Sequence, residues 1–263
     1  MIESFAAAAK PFTPNPCTAM IELREVSKRF GPTLAVDRLT LKIGRGELLA
    51  FLGPNGAGKT TTIKMLCGLL RPTSGTIRVG GFDLVDQGLE ARRLMGYVPD
   101  EPYLYDKLTG REFLRFVGEM YGMDTDDLDR RIEEMVDRFE MWDYGDDLCE
   151  HYSHGMKQRA VFAAALLHEP EVLVLDEPMV GLDPRSARLA KDLLRAKADG
   201  GMTIFMSTHT LAVAEELADR IGIVDHGRLA HCGTLEELRR DLRMDGRLED
   251  LFLRVTAEAD AET

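Results

Sequence analysis

Hydrophobic and polar residues alternate along two stretches near the start of the chain, 21–30 and 39–43, which is the period of half-buried β-strands. A shorter stretch, 47–52, is apolar along most of its length and predicts a buried strand. A helical pattern then begins at Thr61, and a glycine-rich segment separates it from the strand. The pattern therefore predicts an N-terminal antiparallel β region followed by a strand, a loop and a helix.

Further along the chain, short strands and helices alternate, as in α/β proteins whose mostly parallel sheet is covered by helices. The stretch 172–175 is uninterruptedly apolar, which is typical of a buried parallel strand. The same patterns predict strands at 75–81, 94–99, 203–206 and 221–224, and helices at 160–167, 186–198 and 211–217.

An acidic helical block, about 100–160, interrupts this alternation and is interpreted as a subdomain inserted into the α/β core. Thr109 and Glu112 have the spacing of a helix capping box, and 128–141 repeats apolar residues at helical intervals. The core resumes after the block, so that one α/β domain is predicted over 21–233.

The two ends of the chain have different compositions. Residues 1–20 contain four consecutive alanines and three prolines, and they predict a flexible leader. Residues 234–263 predict a helical tail, which opens with a capping box at Thr234 and has its last helix at 248–255.

Composition narrows the classes of partner. The net charge of the 263-residue chain is −12, and residues 100–150 carry 17 acidic against 6 basic side chains. Such a surface repels phosphate backbones, so no nucleic acid partner is expected, although a plain solvated face is the alternative reading. No apolar run approaches the roughly 18 residues that a membrane-spanning helix needs. The four cysteines are scattered without metal-binding or disulfide spacing, which fits a reducing cytoplasm.

The glycine-rich segment matches the phosphate-binding P-loop pattern of Gly, four residues, Gly, Lys and Thr. Residues without a Cβ let backbone N–H groups approach phosphate oxygens at the positive end of the following helix. We expect the lysine to reach the β- and γ-phosphates and the first threonine to bind Mg²⁺. The predicted nucleoside triphosphate contacts are Gly53, Pro54, Asn55, Gly56, Ala57, Gly58, Lys59, Thr60 and Thr61.

Two carboxylates, Asp176 and Glu177, directly follow the buried strand 172–175. Parallel α/β sheets gather their active sites at the carboxyl ends of strands. With a P-loop upstream, we interpret Asp176 as the carboxylate that holds Mg²⁺, directly or through water. Glu177 is then placed to orient or deprotonate the water that attacks the γ-phosphate. The alternative is an ordinary polar strand end.

Three further segments resemble motifs of the ATP-binding cassette (ABC) ATPases. The residues Tyr-Ser-His-Gly-Met-Lys-Gln-Arg at 152–159 resemble the signature motif, whose usual form is Leu-Ser-Gly-Gly-Gln. The residues Gly-Leu-Asp-Pro at 181–184 resemble the D-loop, and Ser-Thr-His at 207–209 ends a strand as the switch histidine does. The resemblance covers about 21–233 and implies a P-loop NTPase core that binds and hydrolyses ATP.

The resemblance assigns roles to individual residues. Lys59, Glu177 and His209 are the implied catalytic residues, and Phe30 is the aromatic that stacks on adenine. The alternatives are a core aromatic for Phe30 and a structural histidine for His209. The D-loop residue is Asp183. The implied Mg²⁺ contacts are Thr60, Asp176 and Asp100, and the residues that touch the ATP of a second subunit are Ser153, His154, Gly155 and Met156.

This chain departs from the usual motifs at three of these positions. Asp100 stands where the family usually has a glutamine, which adds negative charge beside the phosphates. His154 replaces a glycine of the signature, and Met156 replaces its glutamine. Such variants resemble the ATPase subunits of ABC-2 type exporters, as does the segment Leu-Glu-Asp-Leu-Phe-Leu at 248–253.

One P-loop and one signature in the chain imply a second ABC ATPase subunit, identical or homologous, because each ATP in this family lies between two subunits. The resemblance further implies separate transmembrane permease subunits, which would hold the protein at the inner face of the cell membrane. Two alternatives remain open on the sequence: a soluble ABC ATPase that regulates a protein partner without transport, and a small-molecule kinase that uses the same P-loop.

Overall fold

A computed structural model describes residues 19–242 and 247–261. The predicted leader therefore lies outside the described residues up to residue 18. Its last position belongs to the fold, because Met20 is buried and its N–H donates to the Ile43 carbonyl at 2.8 Å. The strands are β1 Ile21–Phe30, β2 Thr33–Ile43, β3 Leu48–Leu52, β4 Ser74–Val79, β5 Phe82–Asp83, β6 Met95–Val98, β7 Val172–Asp176, β8 Thr203–Thr208, β9 Arg220–Asp225 and β10 Arg228–Gly233.

The helices pack on both faces of the central strands and join them. They are α1 Lys59–Leu66, α2 Gly88–Arg93, α3 Gly110–Met120, α4 Thr125–Arg138, α5 His154–Leu166, α6 Pro184–Asp199, α7 Leu211–Leu217, α8 Leu235–Leu242 and α9 Leu248–Ala261. None of the described helices is long and apolar enough to cross a membrane.

A six-stranded sheet in the order β10-β9-β3-β8-β7-β6 forms the centre of the molecule. Its five strands from β9 to β6 are parallel, and β10 pairs antiparallel with β9. A four-stranded antiparallel sheet in the order β2-β1-β4-β5 lies beside it. The fold is therefore α/β with an antiparallel β layer, as the sequence predicts.

The period of two along the central strands divides the apolar residues between two cores. On β3, Leu49 and Phe51 pack with the antiparallel sheet and with Ile63 of α1. Leu48 and Leu52 point the other way, into the core formed with helices α3 to α9. Because both faces of β3 are buried, its apolar run shows no alternation, as is usual for a parallel strand covered on both sides.

The acidic block forms α3 and α4, joined to α5 by a 3-10 turn at Cys149–His151. Thr109 and Glu112 form the predicted capping box at the start of α3, with both reciprocal hydrogen bonds present. Leu128, Ile132, Met135 and Val136 of α4 are buried against the main helical core. The charged residues of α4 consequently face solvent, apart from the largely buried Arg131.

The structure differs from the sequence prediction mainly at short or polar elements. Helix α5 begins at His154 instead of 160, because its first turn is polar and its cap, Ser153, lies before it. Strand β2 begins at Thr33 instead of 39. Helix α2 and strands β5 and β10 were not predicted, because each is short and has little apolar periodicity.

One partly buried histidine, His168, gives the fold a pH dependence that can be measured. His168 stacks on Tyr121 with ring centroids 3.6 Å apart, and its Nε2 lies 3.1 Å from the Met95 carbonyl. Burial lowers the pKa of His168 from 6.5 to about 4, while its hydrogen bond to Met95 opposes this shift. The neutral ring is therefore the form that the folded protein accommodates.

The expected result is a loss of stability as the pH falls below 6.5, because only the unfolded chain then binds the proton. The loss in the free energy of unfolding reaches about 3 kcal/mol at pH 4, and it is absent above pH 6.5. The free energy of unfolding, measured with urea at several pH values, should fall less steeply with decreasing pH for His168→Gln than for the parent. Replacement of the exposed His151 by glutamine is the control, and equal slopes for all three proteins would contradict the prediction.

Candidate functional site

The P-loop follows β3 at the carboxyl edge of the central sheet and leads directly into α1. Gly53 is buried, and a Cβ built on it would lie 2.3 Å from the Val224 carbonyl oxygen of β9. Gly56 and Gly58 have φ angles of +84° and +101°, a region that side chains disfavour. The loop therefore takes its shape from glycines at close approaches and at left-handed positions.

Lys59, at the first position of α1, is folded back over the loop. Its Nζ donates to the Gly53 carbonyl at 2.7 Å and to the Pro54 carbonyl at 3.1 Å. Burial lowers the pKa of Lys59, and the nearby carboxylates of Glu177 and Asp176 oppose this shift. The charge of the lysine is therefore held inside the loop, on the side where the two carboxylates lie.

Asp176 and Glu177 are held by Ser207 on the neighbouring strand. Asp176, at the end of β7, is only 2% exposed, and its Oδ1 accepts a hydrogen bond from Ser207 Oγ at 2.6 Å. The N–H of Glu177 lies 3.2 Å from both the Oγ and the carbonyl oxygen of Ser207. Because Asp176 and Ser207 are paired in the parallel register of β7 and β8, the sheet itself fixes these carboxylates.

Glu177 lies against His209. The His209 Nδ1 is 2.9 Å from Glu177 Oε2, and the His209 N–H donates to the same oxygen at 3.2 Å. Glu177 has a φ of +48°, an uncommon conformation for a residue with a side chain. Such backbone strain is typical of functional sites. One oxygen of Glu177 is thus fixed by His209.

An open cleft of about 370 Å³ brings most of these residues together. Its lining includes Thr60, Asp100, Glu177, Val180 and His209. Further lining residues are Ala35, Asn55, Gly56, Gly58, Lys59 and Thr61. A hydroxyl and carboxylates beside a phosphate-binding loop are the oxygen donors that Mg²⁺ accepts together with substrate phosphates. The donor set therefore fits Mg²⁺, although no group of three or more acidic, histidine or cysteine ligands occurs in the described ranges.

The structure does not place Phe30 among the residues that line this cleft. Phe30 ends β1 with 48% of its surface exposed, and the Lys28 ammonium lies 5.1 Å from its ring centroid. Ala35, on the next strand of the same hairpin, does line the cleft. The adenine-stacking role of Phe30 stays a prediction.

The predicted signature residues form the N-terminus of α5 and are not among the residues that line the cleft of the same chain. Ser153 is the N-cap, and its Oγ accepts a hydrogen bond from the Met156 N–H at 3.3 Å. Ser153 and His154 are exposed, and neither lines the P-loop cleft. The first turn of α5 consequently presents its N–H groups at the surface, as anion-binding helix termini do.

His154 lies directly over the predicted D-loop. Its Nε2 is 3.4 Å from the Val180 carbonyl oxygen, and a Cβ built on Gly181 would come within 2.6 Å of that nitrogen. Asp183 caps α6, accepting from the N–H groups of Arg185 and Ser186. The hydroxyl of Ser186 and these backbone groups hold the pKa of Asp183 below its usual value. Asp183 thus fixes the start of α6 within this chain.

The role of Ser207 as a support for both carboxylates was not predicted from the sequence. The motif ending at His209 contains Ser207, but only the pairing of β7 with β8 shows that it lies opposite Asp176. Val180 and Ala35, which also line the cleft, have no chemical signal in the sequence.

Comparison with known proteins identifies the family. The family model described as ABC transporter matches residues 36–180, more than half of the chain. A daunorubicin resistance ATP-binding protein of Streptomyces coeruleorubidus is 41% identical over 214 residues, which are 81% of this chain and 68% of that protein. A linearmycin resistance ATP-binding protein of Bacillus subtilis is 37% identical over 219 residues, 83% of this chain and 70% of that protein.

Solved structures with a similar fold are also ATP-binding subunits. The ATP-binding subunit of an ABC transporter superposes with a TM-score of 0.85 at 33% identity, over 90% of this chain and 99% of that one. An ATP-binding cassette solved as a dimer in a post-hydrolysis state with ADP and Pi has a TM-score of 0.75 at 25% identity, over 82% and 99% of the two chains. The P-loop cleft, the paired carboxylates and these relatives lead to one conclusion: the chain belongs to the ABC transporter family, as an ATP-binding and ATP-hydrolysing subunit.

Proposed function

We propose that two such ATPase subunits close around ATP and thereby drive an exporter whose membrane-spanning subunits are separate chains. The observation that carries the two-subunit part is the position of α5. Among the described residues that line the P-loop cleft, none comes from 153–156. The N-terminus of α5 is nevertheless exposed and capped in the way that suits a phosphate contact. A second subunit is the source of the missing wall of the cleft.

Within each cleft, the residues of this chain divide the work of hydrolysis. Lys59 and the N–H groups of the P-loop hold the phosphates, and Lys59 exchanges its carbonyl partners for phosphate oxygens. Glu177 orients the attacking water with the oxygen that His209 does not hold, and it receives a proton from that water. Bound Mg²⁺, held by Thr60 and Asp176 with Asp100 nearby, would neutralise phosphate charge.

An exposed aromatic patch, made of Tyr103, Tyr105, Phe116 and Met120, supports a permease contact. These side chains are between 39% and 74% exposed. The Tyr105 ring lies 5.9 Å from that of Tyr103 and 5.2 Å from that of Phe116, so the patch is continuous. Exposed apolar clusters of this kind mark contact surfaces. The patch begins three residues after Asp100 of the cleft, which makes it a suitable point for coupling ATP turnover to a membrane partner.

Export is proposed as the direction because two of the similar ATP-binding proteins are named for resistance to daunorubicin and linearmycin. The attachment of the subunit to the inner face of the cell membrane through its permease is part of the same proposal.

Co-expression with the membrane proteins encoded beside the gene tests the proposal. We expect a permease to co-purify with the chain and to stimulate its ATP hydrolysis. Tyr105→Ser should reduce both effects, because it removes the central ring of the patch. Leu69→Ser removes an apolar side chain that is 65% exposed outside the patch, and it should leave both effects unchanged. The absence of co-purification and of stimulation with every candidate permease would reject the transport role.

A further inference from the structure

A second cavity lies on the helical side of the molecule, apart from the P-loop cleft. Its volume is about 140 Å³, and it is open on one side, where α4, α5 and α6 line it together with the D-loop residue Leu182. Its apolar walls are the side chains of Phe139, Phe162, Leu182, Leu189 and Leu193. An apolar cavity of about this size holds one aromatic ring, and the open side leaves room for the rest of a ligand.

The cavity contains a buried acceptor that lacks a hydrogen-bond donor. Gln158 is 1% exposed, and its Nε2 donates to the Pro178 carbonyl at 3.4 Å. Within the described ranges, no donor reaches its Oε1. A buried amide oxygen without a partner is costly, so a ligand that donates a hydrogen bond at this point gains free energy.

A cationic group without a partner lies at the rim of the cavity. Arg138, the last residue of α4, is exposed, and it forms no ion pair or side-chain hydrogen bond with any residue in 19–242 or 247–261. Arg159, by contrast, forms an ion pair with Glu140 and a hydrogen bond with Ser186.

Arg138 also lines the neighbouring surface depression, together with Lys197. The pKa of Lys197 is lowered by burial and then by the charges of Arg138 and Arg131. The carboxylate of Glu140 also lines the cavity, but Arg159 and Arg185 pair with it. Arg138 is therefore the charged lining residue whose charge is left for a ligand.

We propose that this cavity binds a small amphiphilic anion. The apolar body of the ligand lies between Phe139, Phe162 and the leucines, a donor group faces Gln158 Oε1, and the anionic group pairs with Arg138. Because Leu182 precedes Asp183 in the D-loop and Gln158 belongs to α5, an occupied cavity ties α4 to both of these elements.

Two dyes with nearly the same apolar body test whether an anionic group contributes to binding. The probe is 8-anilinonaphthalene-1-sulfonate, and N-phenyl-1-naphthylamine is its uncharged counterpart. Both carry the aromatic rings and an N–H donor, but only the first carries a sulfonate. Fluorescence titration of the folded full chain should show saturable binding of the sulfonate dye at one site per chain.

Reversing the charge of Arg138 tests whether the dyes bind in this cavity or elsewhere on the protein. Arg138→Glu should weaken binding of the sulfonate dye by about tenfold and change binding of the neutral dye by less than about twofold. Arg188→Glu makes the same charge change at an exposed position of α6 that does not line the cavity, and it should leave both dyes unaffected. Leu189→Asp places a carboxylate in the apolar wall, so it should weaken the binding of both dyes.

Two results would overturn the proposal. One is equal behaviour of Arg138→Glu and Arg188→Glu with the sulfonate dye. The other is loss of the dye signal in Tyr105→Ser, which would locate the dye on the aromatic patch. Thermal unfolding of each variant without dye confirms that the compared proteins are folded.

Discussion

Glu177→Gln is expected to lower the rate of ATP hydrolysis by at least about 100-fold while leaving ATP binding intact. The side chain keeps its shape and one oxygen that can accept from His209, so the cleft retains its geometry. The amide is a far weaker base than the carboxylate and cannot take a proton from water. Bound ATP consequently stays unhydrolysed, and two subunits that close around it stay closed.

Phosphate release and light scattering, both with Mg²⁺ and ATP, measure this result. The variant should become a dimer on addition of ATP and remain one, whereas the parent returns to monomer as ATP is consumed. Glu90→Gln removes an exposed carboxylate from α2 and should behave like the parent. Hydrolysis at the parental rate would show that Glu177 is not the catalytic carboxylate, and a variant that stays monomeric with ATP would count against the two-subunit mechanism.

Gly53→Ala is expected to destabilise the fold by about 3 kcal/mol and to abolish nucleotide binding. The added Cβ would lie 2.3 Å from the Val224 carbonyl oxygen and 2.8 Å from Val224 Cγ1, so the P-loop or β9 must move. Since the Gly53 carbonyl accepts from Lys59, a displaced loop also releases the lysine. Urea unfolding and titration with a fluorescent ATP analogue measure the two effects.

Gly56→Ala is the matched control for stability, because it adds the same methyl group to the same loop. No atom lies within 4 Å of the added Cβ, and the variant suffers only the strain of a φ of +84°. That strain costs about 1 kcal/mol. Equal losses of stability in the two variants would show that the approach to Val224 is not what requires a glycine at position 53.

The position of the residues around the cleft was largely predictable because they belong to local motifs. The P-loop and the pair Asp176 and Glu177 are each contiguous in the sequence and each adjoin a strand with a clear apolar pattern. Sequence order then places them at one edge of the sheet, since parallel strands end on the same side. The capping box at Thr109 was predictable for the same reason, because its two partners are three residues apart.

Interactions between distant residues could not be predicted in this way. Ser207 meets Asp176 across 31 positions, and this contact depends on the register of β7 with β8, which no local pattern encodes. The rotation of Glu177 to a φ of +48°, which turns its side chain toward His209, likewise follows from the tertiary structure. Strand β10 was missed because it is short and has little apolar alternation, so its pairing with β9 defines it.

The position of His154 over Val180 and Gly181 brings two segments of the chain into contact. His154 opens the helix that faces outward, and Val180 and Gly181 belong to the turn that runs from Glu177 to α6. A bulky residue at 181 would displace the imidazole ring, and a displaced ring would leave the turn unsupported. In the two-subunit arrangement that we propose, the outward helix end and the inward carboxylate of one chain serve different nucleotides. Under that proposal, a shift of the histidine at one nucleotide would also shift the turn beside the other.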